Sequence, residues 1–350
     1  MSMIDGKMVG ILQGDTGSSK CHYCACTVEE MNNVVQIIKG FDITKDYDSC
    51  CKAWKKLDEG EIDWTNPERE GQCHRPLVAV SNFYILHWKL RCFDFALGIL
   101  YRLICGVYVW GKVGIKMEKD IASAKKKAQE HIREKIGILV DVPTAGGGNT
   151  NSGVLAQRFF YPKSRDAICE LIKNDDDREN YRTLLRDLNV MLTVCLGTKK
   201  LLRTAKLWQL GKDIMSHIRT AFLNSEGLPW IPMNPSLHTM CAHSWQLFEM
   251  CTNVPLSAYS EQAQEHWNKY LRSFKSGSSA RARQHSLKDN IKDVMARMLQ
   301  MTHPVVVAKR RQIKCTICGQ VGHTSRSELF HSISQFSLGE DDKLINAIYE

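Results

Sequence analysis

Leu86-His-Trp-Lys-Leu-Arg-Cys-Phe-Asp-Phe-Ala-Leu-Gly-Ile-Leu-Tyr-Arg-Leu-Ile104 decides the fold class. Leu86, Leu90, Phe93, Leu97, Leu100 and Ile104 recur every three or four residues, which puts them on one face of a long helix that other helices must cover. The wider apolar stretch, Phe83 to Trp110, carries Lys89, Arg91, Asp94 and Arg102, so it lacks the ~18–20 uncharged residues that a bilayer demands. A core helix is expected here, and no membrane partner.

The same spacing extends outward. Ile121, Ala124, Ala128 and Ile132 form a second stripe, with Lys125, Lys126, Lys127, Glu130 and Glu134 on its wet side. Arg165 to Ile172, Arg178 to Leu196 and Ala205 to Phe222 read as three further helices. Strand signals are few, the best being Gly137 to Val142 and Pro304 to Ala308. No repeat of solenoid or propeller period recurs. The run Thr144-Ala-Gly-Gly-Gly-Asn-Thr-Asn-Ser-Gly153 is a loop or hinge and lacks the G-K-[ST] of a Walker motif. Leu228-Pro-Trp-Ile-Pro-Met-Asn-Pro235 ends one helix and sets up the next at Ser236. Ser276-Gly-Ser-Ser-Ala280 is a third break, and beyond Pro304 the chain is expected to be a tail with little periodicity.

A chain of 350 residues, 43% hydrophobic and 24% charged, has the balance of a globular protein of two or three domains, not of a disordered or collagen-like one. Its 14 cysteines are too sparse for a disulfide scaffold, and Cys92, Cys169 and Cys195 fall in helical stretches, so a reducing compartment is expected. The opening MSMIDGKMVG has no apolar core of a signal peptide. The net charge of +9 is concentrated. Lys269 to Lys314 holds twelve Lys/Arg, among them Lys269, Arg272, Lys275, Arg281 and Arg283, against Asp289 and Asp293, a balance of +10 that leaves −1 for the rest. Such a segment meets phosphates or acidic surfaces, or serves as a solvated face or a nuclear-import signal.

Three groups of residues carry candidate chemistry. Cys21-His-Tyr-Cys24 has the C-x2-C spacing that lets two thiolates chelate one zinc from a tight turn, but supplies only two of four ligands. His238 and His243 are five residues apart, slightly more than one helical turn, and reach a shared point only if the helix begins between them or relaxes locally. Either histidine alone is also accounted for as a buried ring bonded to a carbonyl, and spacing does not join the two pairs. Cys315-Thr-Ile-Cys318-Gly-Gln-Val-Gly-His323 is three-quarters of a nucleic-acid-binding zinc knuckle, with Glu328 where the fourth ligand belongs and His331 as a substitute through a longer loop. In Tyr259-Ser-Glu-Gln-Ala-Gln-Glu265-His-Trp-Asn-Lys269, Ser260 caps a helix whose Glu261 and Glu265 share a face, as ordinary terminal charge placement or as a hold on magnesium. No D-x-D after an apolar strand, G-x-S-x-G elbow, H-E-x-x-H or Cys/His nucleophile signature appears.

Taken in order, these pieces resemble the catalytic subunit of the V(D)J recombinase and its Transib and RAG-like DDE transposase relatives. The likeness runs over about residues 10 to 300 and rests on four stretches. Cys21-His-Tyr-Cys24 resembles the family's zinc-binding C-x2-C, and Ile85-Leu-His87 its short Leu-His motif. Arg165-Asp-Ala-Ile-Cys-Glu-Leu-Ile172 with Tyr181-Arg-Thr-Leu-Leu-Arg-Asp-Leu188 resembles a helix pair between the zinc cysteines and histidines. Leu237-His-Thr-Met-Cys-Ala-His243 followed by Ala258 to Lys269 resembles the two zinc histidines, an aromatic, and the last catalytic acid four residues before a lysine.

The resemblance implies a mainly α chain, the helical zinc-binding insertion region of an RNase H-like DDE recombinase, with the RNase H-like sheet largely absent. It implies one zinc held by Cys21, Cys24, His238 and His243, with Glu265 as counterpart of the third acid of the triad. Tyr259 answers to a tryptophan that stacks on DNA near the cut. In the family the first two aspartates precede the zinc cysteines on strands; here twenty residues precede Cys21, and Asp5 and Asp15 lack strand-length apolar context. One carboxylate cannot assemble a two-metal site. The expectation is a truncated or remnant nuclear recombinase that binds zinc and DNA, with magnesium or manganese only if the missing half is supplied. A homodimer or a second RAG-like subunit is the expected protein partner. The rival is a non-catalytic zinc-dependent protein that meets nucleic acid or protein. The organisation expected is a polar lead (1–20), the zinc-cysteine region with long core helices (21–143), the Gly-rich loop (144–153), the helical zinc-histidine region (154–257), acidic-to-basic helices (258–303) and a tail with the partial knuckle (304–350).

Overall fold

The computed structural model describes residues 20–21, 23–43, 85–143, 149–197, 202–250 and 340–349, all within one compact unit. Among them the structure is helical: α1 (Val28–Met31), α2 (Val34–Lys39), α3 (Ile85–Cys105), α4 (Ile115–Ile136), α5 (Gly153–Phe160), α6 (Pro162–Cys169), α7 (Asp175–Leu196), α8 (Thr204–Ala221), α9 (Pro235–His238), a π-helical turn (Thr239–His243), α10 (Ser244–Met250) and α11 (Glu340–Ile348). No sheet forms among the described residues, only isolated bridges. None of the described helices is long and apolar enough to cross a membrane.

Helix α7 is the centre of the bundle. Asn174 caps it by accepting from the Asp177 amide, and Asp175, Asp176 and Asp177 place negative charge at its N-terminus. From Tyr181 to Cys195 it then buries eleven residues, with α3, α5, α6, α8 and α11 packed around it. The heptad-like face of α3 meets this centre: Phe93, Leu97 and Leu100 are buried, and the Tyr181 hydroxyl donates to the Ala96 carbonyl at 2.9 Å. Helix α4 covers the other side with Ala124, Ala128, Ile132 and Ile136, and stops at Gly137, whose φ of 71° closes the end as a left-handed cap.

Two expectations are corrected. Gly137 to Val142 pairs with nothing as a strand; a single bridge from Pro143 to Asn149 closes a loop instead. A short apolar run such as Ile138-Leu-Val140 cannot specify a strand without a partner edge, and here Asp141 anchors the segment. Its carboxylate accepts from Tyr101 (3.0 Å), Asn149 (2.9 Å) and Asn151 (2.7 Å) and pairs with Lys125 at 3.1 Å. The described end of the Gly-rich loop is therefore pinned. Pro304 to Ala308 lies outside the described residues.

The expected C-terminal tail ends in ordered structure. Glu340–Ile348 is a helix that packs on α7 and α8. Its Asp341 is wholly buried and takes a bidentate pair from Arg165 of α6 at 3.1–3.3 Å, with a third bond from Asn189 of α7 at 2.8 Å. Three charged and polar groups bond to one another 152 and 176 residues apart in sequence, a relationship that helical spacing does not display.

Candidate metal centre

The N-terminal half of the centre is a tight turn. The Cys21 amide donates to the Cys26 carbonyl at 2.9 Å and the Ala25 amide to the Cys21 carbonyl at 3.0 Å, folding the chain back on itself. The Tyr23 amide points at Cys21 Sγ, 3.4 Å away, as suits a sulfur carrying negative charge. Reversal at this spacing forces Ala25 into the left-handed region at φ 58°. The turn leads through the capping box of Thr27 and Glu30 into α1.

The C-terminal half depends on a local change of helix type. Asn234 caps α9 and Pro235 occupies its first position, so the proline break starts a helix as the sequence suggests. Over Thr239–His243 the helix widens to a π turn. A π turn bonds i to i+5 and holds more residues per turn than the 3.6 of an α-helix, so residues at i and i+5 come much closer to one face. This is the relaxation that the His238–His243 interval requires. The two rings are 5.2 Å apart, edge on. Helix α8 supports the widened turn, because Gly211 sits directly on the Cys241 backbone.

These halves converge. Cys21 Sγ, Cys24 Sγ and one nitrogen each of His238 and His243 all lie within 4.8 Å of one another, with Cys21 and both histidines buried. Cys24 Sγ is 3.4 Å from His238 Nε2. A tetrahedral zinc with Zn–S of ~2.3 Å and Zn–N of ~2.0–2.1 Å spaces its ligand atoms about 3.3–3.8 Å apart, so the cluster needs only slight closure around an ion.

The electrostatics favour a cation. Burial opposes ionisation of Cys21, yet the polar groups of Cys24, His238 and His243 beside it outweigh that and hold the thiol well below its ordinary range. Cys24 is pushed the opposite way, first by its bond to Cys21 and then by burial, so the pair shares a proton that an ion would displace. Burial also keeps His238 below the usual histidine range, in the neutral form that ligates. The sharpest sign is a deficit: His243 Nε2 is buried without a hydrogen-bond partner, while the ring's other nitrogen is engaged by Gln246. Buried polar atoms are nearly always satisfied, and an orphaned imidazole nitrogen in a Cys/His cluster marks a place for an ion. The donor set therefore fits zinc, which would be held by two thiolates and two imidazoles in a closed, structural site.

Around the cluster stand residues that motif spacing did not single out. Phe41 lies edge-on to the His238 ring at 4.4 Å, and Tyr23 beside His243 at 5.7 Å. Thr239 Oγ1 is 3.6 Å from Cys21 Sγ while donating to the Pro235 carbonyl at 2.8 Å. Gln246 Oε1 is 2.7 Å from His243 Nδ1. Asn32 accepts from the Met233 amide through its side chain and from Arg219 through its carbonyl, tying α1 to the proline segment just before the histidines.

The other expected site residues, Tyr259, Glu265, Lys269, Arg272, Lys275, Arg281, Arg283, Cys315, Cys318 and His323, lie outside the described residues. His87 of the Leu-His motif sits half-buried near the start of α3. Arg165 and Tyr181, from the two stretches compared with a helix pair, fall on the adjacent helices α6 and α7. Neither protein-family models nor curated proteins match this chain.

Proposed function

We propose that this chain is a zinc-stabilised, DNA-binding module of a RAG-like DDE recombinase or transposase, acting in the nucleus. The observation that carries the reading is the convergence of Cys21, Cys24, His238 and His243 on one point. These are the four residues that the resemblance selects from 14 cysteines and 12 histidines. Zinc, when bound, supplies a rigid cross-link between the N-terminal turn and the bundle. The chain's own residues do the rest: the Cys21–Cys24 turn presents sulfur, the π turn aligns the imidazoles, and α8 braces that turn.

In this reading the basic stretch from Lys269 to Lys314 tracks a DNA backbone, with Tyr259 stacking on a base near its start. Glu265 supplies the third acid of the triad. Magnesium or manganese chemistry, nicking and transesterification, requires two further aspartates from a complementary catalytic segment. A second copy or a second RAG-like subunit completes the assembly.

A salt titration of duplex DNA binding by the full chain tests this. If about six of the cations engage phosphates, log affinity falls against log salt with a slope of roughly −5. Arg281→Glu with Arg283→Glu should weaken binding to all sequences alike and flatten the slope, because backbone contacts position without reading bases. With magnesium or manganese the chain alone should leave DNA uncut; cleavage abolished by Glu265→Gln would mean that it holds the other acids. No DNA binding between 50 and 200 mM salt would replace this reading with that of a zinc-dependent protein-interaction module.

A further inference from the structure

Resting on the zinc reading above, we propose that Gln246 is the positioning residue of the metal centre: it fixes the tautomer of His243 that presents Nε2 to the ion. His243 is wholly buried, and its two ring nitrogens are in unlike surroundings. Nδ1 is 2.7 Å from Gln246 Oε1, while Nε2 is buried without a hydrogen-bond partner, which leaves it as the nitrogen free to ligate in the Cys/His cluster. An amide oxygen only accepts, so Nδ1 carries the proton and Nε2 keeps a free lone pair.

The opposite orientation of the amide is incompatible with the site. With its NH2 toward the ring, Nδ1 becomes the acceptor and the proton moves to Nε2, among the sulfurs, where it blocks the metal. Amide orientation, ring tautomer and metal binding are therefore one choice. Gln246 can make the contact because it lies three residues after His243, one turn further along, where α-helical geometry resumes in α10.

His238 has no such anchor. Its Nδ1 is orphaned, and its ring is held by packing against Phe41 and His243. The two imidazoles thus differ at the nitrogen turned away from the sulfurs: that of His243 is held by a directed hydrogen bond, that of His238 by none. Loss of the directed bond should weaken the site by the 10–100-fold typical of an outer-sphere partner to a zinc histidine.

The test is competition for zinc between a chromophoric chelator and the full chain, with Cys315→Ser and Cys318→Ser introduced so that one cluster is titrated. Gln246→Leu should bind zinc 10–100-fold more weakly. Gln246→Glu, which keeps an acceptor at the same reach, should bind at least as tightly as the parent. In the zinc-loaded parent, long-range 15N correlations of the His243 ring should show the proton on Nδ1 and the metal on Nε2. A parent chain that holds no zinc overturns the metal reading itself. A parent that holds zinc, with Gln246→Leu within two-fold of it or Gln246→Glu as weak as Gln246→Leu, overturns the role of Gln246 alone. So does a spectrum with the proton on Nε2, which needs no variant to fold.

Discussion

Gly211 of α8 packs directly on the carbonyl of Cys241, in the middle of the π turn between the two candidate zinc histidines, and leaves no room for a Cβ. The neighbour is backbone, which cannot swing away as a side chain would. Helix position and the geometry of the Cys/His cluster are thereby coupled through a single missing methyl group.

Gly211→Ala should therefore destabilise the protein, although alanine is the better helix former by about 1 kcal/mol. Overpacking against backbone costs about 1–3 kcal/mol and pushes the π turn off the cluster. Thermal melting should show a lower midpoint, and chelator competition a weaker hold on zinc. A variant that melts and binds metal as the parent does would show that α8 can slide freely over the turn.

Removal of the metal should loosen both ends of the cross-link. Purified protein should contain at least one zinc per chain, and Cys21→Ser or His238→Ala should lower the count by one. Because ligand binding is coupled to folding, chelation should cut the melting temperature by about 10 °C or more and open the segment before α1 to protease. Identical melting with and without chelator would contradict this.

Ala25 occupies the left-handed region at φ 58° and is exposed, so its methyl group contributes strain without packing. A Cβ in that conformation costs about 1–2 kcal/mol, and glycine gives back about 0.4–1 kcal/mol through the freer unfolded chain. Ala25→Gly should stabilise the zinc-loaded protein by about 0.5–1 kcal/mol in denaturant unfolding. A loss of stability would mean that the turn is not held in this form.

Asp341→Ala should leave the Arg165 guanidinium buried without its partner, with a loss of about 3–5 kcal/mol. Replacing both, as Arg165→Met with Asp341→Leu, should recover part of that loss, because no lone charge remains. Asn189 still loses its acceptor, so recovery is incomplete. A double-mutant cycle on urea unfolding measures the coupling; zero coupling would mean that α11 does not dock on α6.

Much of the helical framework was legible because buried faces repeat at the helical period. On α3 the predicted Phe93, Leu97 and Leu100 are buried, with burial spreading to Cys92, Phe95, Ala96 and Ile99 and Leu90 and Ile104 only half covered, and on α4 Ala124, Ala128 and Ile132 are buried as spacing puts them. For the expected helix at Arg165 to Ile172 the start moved to Pro162 and the end to Cys169, since a proline at the first position and a terminal turn override propensity. Gln246 was accessible in principle: it follows a candidate ligand by three residues, the interval at which side chains meet on a helix. Nothing in a single sequence marked Asp341, because one carboxylate in a polar stretch looks like any other until its partners are known.

Local sequence by itself determined most of the described helices, the proline start before His238, and the Cys-x2-Cys turn, because each depends on residues within a turn or two of one another. It also set the condition for the histidines, that the helix begin between them or relax locally. Only the tertiary structure decided that the condition is met, by placing Thr239–His243 on Gly211. It alone joined Cys21 and Cys24 to His238 and His243 across more than 200 residues. It also turned the end of the chain from an expected tail into a docked helix. The physical reason is the same in each case: backbone periodicity is written locally, whereas the pairing of buried charge, sulfur and imidazole is chosen by which surfaces the packed helices bring together.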